Sequence, residues 1–487
     1  MSFDPGQLDE FLSRIKTEFN HPDIIANPFL FLVKPTEENL KKYMVSKPES
    51  RFWFGVCIAG VLPTIFVKVA YSAAISVIRI SENRNWNVDS VKKTRNLYIS
   101  HFTYAQLPQN DDVFFGKNTQ DPEDLVFYLN STRENGFETQ KKFLALGKKN
   151  VIFNTKSLGL IQTLVLHMKQ ASNSFKFFLS ALTNSSYTQF QRRLLLKFSI
   201  AQHSRETMAN LSAKVRLKEV VSKSHPENII LTIEGHAHEA MVISFRDTDF
   251  PNVRIVGFQH APIVPGQFSL YRFLRAFNSR DLILTSGLVT REMISKHNPN
   301  LQTKILGSPK SIEAKLTLKG LSTMNVLGAV EGTSESLKSF ILLFNKLSDL
   351  LPDINFVIRN HPALSGNVAK KLLKSLSGSP NLSVSTASLT EDLSNSHITI
   401  FRSSAVGLEG LAFASLPVHF DAETMGLLNP LSQVNYPKFE FSDVNQLANF
   451  LQKWPLTRNN SPRFRAESSQ IISDYYFPMQ DVNSLIG

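Results

Sequence analysis

The sequence groups acidic and imidazole side chains in one short segment, Glu234-Gly235-His236-Ala237-His238-Glu239, directly after the apolar run 228–233. A hydroxyl that attacks an electrophile needs a base to take its proton, and a carboxylate can be that base. Gly235 permits a sharp turn, which would point Glu234 away from the preceding strand. We therefore predict that Glu234 is a catalytic base. Glu239 could serve instead as a helix cap, because acidic side chains stabilise a helix N-terminus.

Histidines accompany this carboxylate. His236 and His238 suggest zinc ligands, but residues two apart point to different sides of a helix, so we predict no metal. A second polar segment, Gly257-Phe258-Gln259-His260, ends the next apolar run. Its histidine could contact an acceptor or a phosphate, or could only complete the turn. The residues predicted to touch the acceptor or support the base are His236, Glu239, Gln259 and His260.

Three segments in the C-terminal half carry groups suited to a phosphate. Small residues in 328–334 would let backbone N–H groups approach an anion at a helix start, although the segment matches neither a P-loop nor GxGxxG. Segment 359–362, Arg-Asn-His-Pro, offers two cations to a departing phosphate. Segment 402–410 offers serine hydroxyls, and a glutamate for a ribose or base. The predicted nucleotide-binding residues are Gly328, Gly332, Thr333, Arg359, His361, Pro362, Ser403, Ser404 and Glu409, and His361 is also predicted to be catalytic.

Short β-rich runs that alternate with helical patterns must position these segments. Two such series follow each other, from about residue 96 to 308 and from 324 to 420, with a linker near 312–322. This alternation predicts an α/β fold with two Rossmann-like domains and a cleft between them, in which ligands bind at the carboxyl ends of the strands. The predicted domains are 91–312 for the acceptor and 313–487 for the nucleotide. A helical segment, 1–90, precedes them, and a tail helix, 463–476, could pack back across the boundary.

Composition limits the class of protein. The 487 residues contain one cysteine, Cys57, so no intramolecular disulfide can form, and the start shows no secretory signal. We therefore expect a cytoplasmic protein. The net charge of +12 favours anionic partners, which include nucleotides, acidic glycans and phospholipid surfaces.

Segment 52–80 is almost entirely apolar, with Lys68 and Arg79 as its only charges and Pro63 near its middle. It could lie in a membrane interface, form a buried helical hairpin, or span a bilayer. The interfacial alternative predicts peripheral contact with the inner face of an anionic cytoplasmic membrane.

Two families share short motifs with this chain over about 228–420. His361-Pro362 together with Ser403-Ser404 resembles the HP and SS motifs of bacterial sialyltransferases and related CMP-sugar transferases. In that group these residues hold the CMP phosphate, and an acidic residue before a glycine is the base. Glu234-Gly235 is similar to that acidic motif, with one of its two usual acids present. Glu234 to Glu239, followed by 257–260, resembles a signature of bacterial capsule and lipopolysaccharide biosynthesis proteins.

The resemblance implies a metal-independent glycosyltransferase of GT-B-like fold. It would transfer an acidic CMP-activated sugar, sialic-acid-like or Kdo-like, to a bacterial surface glycan or a lipid-linked glycan acceptor. It would need no cofactor besides the nucleotide-sugar substrate.

Three other functions stay open at this point. A CDP-alcohol phosphotransferase of the teichoic-acid type and a sugar-nucleotide epimerase would both use similar domains. A nucleic-acid-binding protein would explain the basic run, but few aromatic residues interleave with it for base stacking, so nucleic acid is not the expected partner. The basic run consists of Arg192, Arg193, Lys197, Arg205, Lys214, Arg216, Lys218 and Lys223.

Overall fold

The structure is a computed structural model of the whole chain. It describes residues 5–19, 22–31, 63, 67, 70, 74, 91–101, 111–129, 150–154, 158, 160–309, 322–361, 364, 366–376, 378–421 and 428–487. Element numbers below refer to these residues.

The first domain is built on a sheet of seven parallel strands in the order β3-β2-β1-β4-β5-β6-β7. The strands are β1 (Asn96–Ser100), β2 (Leu125–Tyr128), β3 (Val151–Phe153), β4 (Asn228–Thr232), β5 (Arg254–Gln259), β6 (Leu282–Thr285) and β7 (Gln302–Ile305). Alternate residues of β4 enter different apolar clusters, Ile229 and Leu231 on one face and Ile230 on the other. Both faces are therefore covered, which explains the unbroken apolar runs of the sequence.

Helices cover the first sheet. They are α1 (Pro5–Glu18), α2 (Pro22–Ile25), α3 (Leu160–Thr183), α4 (Gln189–Ala201), α5 (Arg205–Ser224), α6 (Ala237–Asp249), α7 (Phe268–Phe273) and α8 (Leu288–His297). The sequence pattern over 188–222 predicts one long helical stretch, but the structure has two helices there. The chain turns after α4, and the Ser204 side chain accepts a hydrogen bond from the Thr207 N–H to begin α5.

The second domain has a sheet of six parallel strands in the order β10-β9-β8-β11-β12-β13. Its strands are β8 (Asn325–Ala329), β9 (Asn355–Arg359), β10 (Leu382–Val384), β11 (Ile398–Phe401), β12 (Leu416–Phe420) and β13 (Glu440–Phe441). Its helices are α9 (Ser334–Leu350), α10 (Gly366–Leu373), α11 (Leu389–Asn395), α12 (Val406–Leu411) and α13 (Val444–Lys453), followed by α14 (Pro462–Tyr475) and α15 (Val482–Ile486). The two sheets confirm the predicted α/β, GT-B-like arrangement of two Rossmann-like domains.

The N-terminal helices belong to the helical layer of the first domain. Leu12 and Ile15 of α1 share a buried apolar cluster with Phe177 of α3 and Leu194 of α4. Most of the apolar segment 52–80 lies outside the described residues; of it, only 63, 67, 70 and 74 are described, and they are helical and exposed. Within the described part of the chain, no helix is both long enough and apolar enough to cross a membrane.

The C-terminal segment returns to the first domain, as expected for the tail helix. After α14, the Phe477 carbonyl accepts a hydrogen bond from the Ser308 N–H at 2.9 Å, and the Gln480 N–H donates to the Leu306 carbonyl at 2.7 Å. Val482 of α15 then joins an apolar cluster on one face of the first sheet. The first domain therefore includes the last residues of the chain as well as the region up to β7.

Candidate functional site

Strand order indicates where the first domain would bind a ligand. In open α/β sheets, ligands bind at the carboxyl ends of strands, at the point where the strand order reverses. β1 and β4 are neighbours, and the strands that follow them lie toward opposite edges of the sheet. His101 follows β1, Glu234 comes shortly after β4, and His260 follows β5.

The Glu234 carboxylate lies between two imidazoles at this point. Its Oε2 is 3.2 Å from His236 Nε2, and its Oε1 is 3.4 Å from His260 Nε2. The Glu234 side chain is 24% exposed, so a substrate can reach it while its neighbours orient it. The structure thus brings together the predicted base and two of its predicted supporting residues.

Two further histidines complete the cluster. The rings of His236 and His238 stack with centroids 5.4 Å apart, and His238 Nε2 is 3.3 Å from His101 Nε2. The expectation that His236 and His238 point apart is wrong. His236 has an extended backbone and precedes α6 as its N-cap, so the spacing rule for two helical residues does not apply to it. Within the described ranges, no group of three or more histidine, cysteine, aspartate or glutamate side chains is arranged to hold a metal ion.

Glu239 holds the turn that carries the predicted base. Its carboxylate accepts backbone N–H bonds from Glu234, Gly235 and His236 at 2.7–3.0 Å. Burial raises the pKa of Glu239 to about 7, against the opposing effects of the His236 charge and of these N–H donors. The structure therefore places Glu239 in the helix-capping position, with its oxygens committed to the backbone.

Gly235 makes the same turn possible. Its φ of +89° lies in the left-handed region, and a Cβ there would come within 2.5 Å of the Leu270 backbone nitrogen. Residues other than glycine are therefore excluded at this position, both by the backbone conformation and by the lack of space for a Cβ. Nearby, the Gln267 amide donates to the Glu234 carbonyl at 3.1 Å and fixes the turn from the other side.

The two predicted residues at the end of β5 differ in their surroundings. Gln259 is fully buried, and its amide donates to the Ala261 carbonyl at 2.9 Å, so it holds the loop after the strand. His260 is partly exposed, and its ring centroid is 4.6 Å from that of Phe114. Only His260 of this pair faces Glu234.

His101 is part of the cluster, although the sequence did not single it out. Burial, reinforced by the nearby His236, lowers the pKa of His101 to about 4, and burial also lowers the pKa of His238 well below its ordinary value. Both rings are therefore neutral near pH 7. One can donate a hydrogen bond to the other, which fixes the orientation of His238 beside His236.

Replacing His101 by Asn should reduce the loss of stability in acid. Between pH 6.5 and about 4, unfolded His101 binds a proton that the folded side chain does not, so its contribution to the free energy of unfolding falls as pH falls. The wild type should lose about 1–2 kcal/mol more than the variant between pH 7 and 5. Urea unfolding at several pH values measures this difference. Parallel pH profiles for the two proteins would show that His101 titrates normally.

Glu331 links two strand ends of the second domain. It follows β8, and Arg402 follows the neighbouring β11, again at the point where strand order reverses. Glu331 accepts two hydrogen bonds from Arg402, at 3.2 and 2.7 Å, and two from the Ser403 N–H and hydroxyl, at 2.8 and 2.7 Å. Burial alone would raise the pKa of Glu331, but Arg402 and Ser403 hold it below its usual value. The sequence did not predict this pairing.

Several residues predicted to bind phosphate already have protein partners. Arg359 donates to an Asp392 carboxylate oxygen at 2.6 Å and to the Ala387 carbonyl at 2.8 Å. The Thr333 and Ser404 hydroxyls accept N–H bonds at the starts of α9 and α12, from Ser336 and Val406. Each hydroxyl still has a hydrogen to donate.

The other predicted residues of this domain are placed as follows. Gly328 lies inside β8, where a Cβ would come within 2.6 Å of the Phe344 ring, so close packing accounts for this glycine. Gly332 precedes the N-cap of α9, and His361 is half-buried just beyond β9. Glu409 lies in α12 and is 6% exposed. Pro362 lies outside the described residues.

The chain was compared with known sequences and structures. It matches no protein-family model and no curated protein. Among solved structures, it aligns with UDP-GlcNAc 2-epimerase from Neisseria meningitidis (TM-score 0.45, 9% identity, 80% of this chain and 97% of that one). It also aligns with UDP-N-acetylglucosamine 2-epimerase from Rickettsia bellii (0.42, 12%, 78% and 94%) and with the glycotransferase of kitacinnamycin (0.44, 10%, 79% and 95%). Similarity at this level identifies neither activity nor substrate.

Proposed function

We propose that this protein is a glycosyltransferase in which Glu234 is the catalytic base and the second domain holds the nucleotide of the sugar donor. The observation that supports it is the partly exposed Glu234 carboxylate, set between His236 and His260 at the point where the strand order of the first sheet reverses. A carboxylate oriented in this way can take a proton from a bound hydroxyl.

The proposed reaction uses the cluster in a defined order. The acceptor hydroxyl gives its proton to Glu234 as its oxygen forms a bond to the anomeric carbon of the donor sugar. The bond from that carbon to the nucleotide phosphate breaks, and the phosphate leaves with the electron pair. His236 is 41% exposed beside Glu234, so it can pass the proton to solvent after transfer.

The donor phosphate would be held at the N-terminus of α9 and by nearby hydroxyls. Thr333 and Ser404 each have a hydroxyl hydrogen to donate, and the first N–H groups of α9 favour an anion. Arg402 and Arg359 are already paired with Glu331 and Asp392, so they would orient this region. A CMP-linked acidic sugar is the donor we propose, on the similarity of His361-Pro362 and Ser403-Ser404 to the CMP-sugar transferase motifs.

A sugar-nucleotide epimerase is the second candidate. Epimerisation removes a proton from a sugar carbon and returns one, so it needs more than one proton carrier at the same place. Glu234 together with His236 and His260, the two imidazoles beside its carboxylate, would meet that need.

The basic run gives little support to nucleic-acid binding. Lys214 pairs with Asp23 at 3.0 Å, and Lys218 pairs with Asp249 at 2.5 Å. Arg216 is buried and lies 3.6 Å from Glu219. Three of the eight basic residues of this run are thus paired with acidic residues of the protein, which interrupts the basic surface that a phosphate backbone would need.

Nucleotide binding tests the donor assignment. We expect CMP or CDP, at about a hundredfold excess over its Kd, to raise the Tm by about 5–10 °C, and UDP and GDP to raise it less. Ser404→Ala should reduce the stabilisation by every nucleotide, because Ser404 is proposed to contact the phosphate that they share, whereas Ser432→Ala, which removes a hydroxyl that donates to the Asn429 carbonyl, should retain it. Stabilisation by UDP alone would overturn the CMP assignment, and stabilisation by no nucleotide would overturn the proposed function.

Deuterium exchange separates the two candidates. A sugar nucleotide incubated in D₂O without an acceptor should acquire deuterium at a sugar carbon if the protein is an epimerase. A glycosyltransferase should leave the sugar carbons unlabelled and consume the donor only when an acceptor is present. Mass spectrometry of the recovered sugar nucleotide reads both outcomes.

A further inference from the structure

Helix α3 has an exposed apolar stripe along its length. Its most exposed members are Ile161, at 77%, and Met168, at 73%. The spacing of three or four residues places the whole set on one face of the helix. The stripe consists of Ile161, Leu164, Val165, Met168, Phe175, Leu179 and Leu182.

The opposite face of α3 is buried against protein. Leu166, Phe177, Phe178 and Ala181 belong to apolar clusters of the first domain. Because protein covers that face, α3 cannot be surrounded by lipid. Its exposed stripe, about 32 Å long at 1.5 Å per residue, could only lie along a surface.

The charged side chains of α3 and α4 are all positive. Neither α3 nor the following α4 contains an acidic residue. Lys169 and Lys176 are exposed on α3 next to the stripe, and the exposed Phe190 begins α4 two residues before Arg192. A second copy of the chain packed symmetrically on this stripe would bring like charges together, whereas an anionic surface would be attracted.

We propose that the α3 stripe docks on the surface of a bilayer that contains anionic lipid. The apolar side chains enter the boundary between headgroups and acyl chains, and Lys169 and Lys176 reach the lipid phosphates. The exposed helical residues Val67, Ala70 and Ala74 are also apolar and share the spacing of one helix face. This surface shares no residue with the Glu234 cluster, and on the proposed function it would hold the first domain beside a lipid-linked acceptor.

Vesicle binding by the full-length chain tests this surface. The wild type should sediment with vesicles of phosphatidylcholine and phosphatidylglycerol and should bind less to phosphatidylcholine alone. Val165→Glu/Met168→Glu should lower the partition coefficient at least about tenfold, because two apolar contacts are lost and two repelled charges are added. Leu342→Glu/Leu350→Glu is the matched control: it places the same two charges at side chains 72% and 46% exposed on α9, and it should bind like the wild type.

Two further measurements separate the alternatives. Lys169→Glu/Lys176→Glu should weaken binding to the anionic vesicles and leave binding to phosphatidylcholine unchanged. Light scattering reports the oligomeric state, and circular dichroism confirms that each variant is folded. The proposal would be overturned if the Val165→Glu/Met168→Glu variant bound vesicles as tightly as the wild type. It would also be overturned if the wild type were a dimer and the variant a monomer with unchanged lipid binding.

Discussion

Replacing Glu234 by Gln should lower turnover by about 10²–10⁴-fold and leave nucleotide affinity unchanged. The amide has nearly the size of the carboxylate and can still contact His236 and His260, so the turn should keep its shape. It cannot accept the proton of the attacking hydroxyl. The nucleotide is proposed to bind the other domain, so its affinity should not respond to this change.

A comparison with Glu292→Gln controls for the loss of a negative charge. Glu292 is an exposed residue of α8 in the same domain, and its replacement should leave turnover at the wild-type level. Steady-state rates with a panel of sugar nucleotides and isothermal titration with the nucleotide product would measure the two effects separately. Retained turnover in Glu234→Gln would show that the base is another group.

Replacing Glu331 by Ala should lower the free energy of unfolding by about 3–5 kcal/mol. Arg402 is 7% exposed, and removal of Glu331 would take from its buried guanidinium the carboxylate that accepts two of its hydrogen bonds. The Ser403 N–H and hydroxyl would lose their acceptor as well. Because these bonds tie the end of β8 to the end of β11, we also expect weaker nucleotide binding.

A double variant separates two effects of Glu331→Ala: the buried Arg402 charge that loses its carboxylate partner, and the lost hydrogen bonds between the ends of β8 and β11. Glu331→Ala/Arg402→Met removes both charges and should recover part of the stability that Glu331→Ala loses. Asp353→Ala, an exposed change just before β9, should cost less than about 0.5 kcal/mol. Urea unfolding measures all three variants. A cost below about 1 kcal/mol for Glu331→Ala would show that the Glu331–Arg402 pair does not stabilise the domain.

The regular elements could be predicted because the strands of a sheet covered on both faces are continuous apolar runs. β4 lies within the apolar run 228–233, and β5 ends in the segment 257–260, where the next run was predicted to end. The break between α4 and α5 was missed because Ser204 is also compatible with a continuing helix. In the structure, α4 packs against α3 and α5 packs against α6, so the chain changes direction between α4 and α5.

The sequence predicted those members of the candidate cluster that share one turn or follow consecutive strands, Glu234, His236 and His260, and it missed those that only the strand order brings together. Glu234 and His236 share one turn, so local sequence was enough. His101 reaches the cluster because β1 pairs with β4. Glu331 likewise meets Arg402 because β8 pairs with β11, and these long-range pairings leave no mark on either local segment.

The chain crosses between the domains a second time after α14, where Phe477 and Gln480 bond to the first domain. Closure of the two domains would therefore have to move this second crossing as well. Gly287 packs against the backbone carbonyls of Asp474 and Tyr475, so the second crossing rests directly on the first domain. A larger side chain at Gly287 would push on that crossing and would change how far the two sheets can approach, without touching either proposed binding surface.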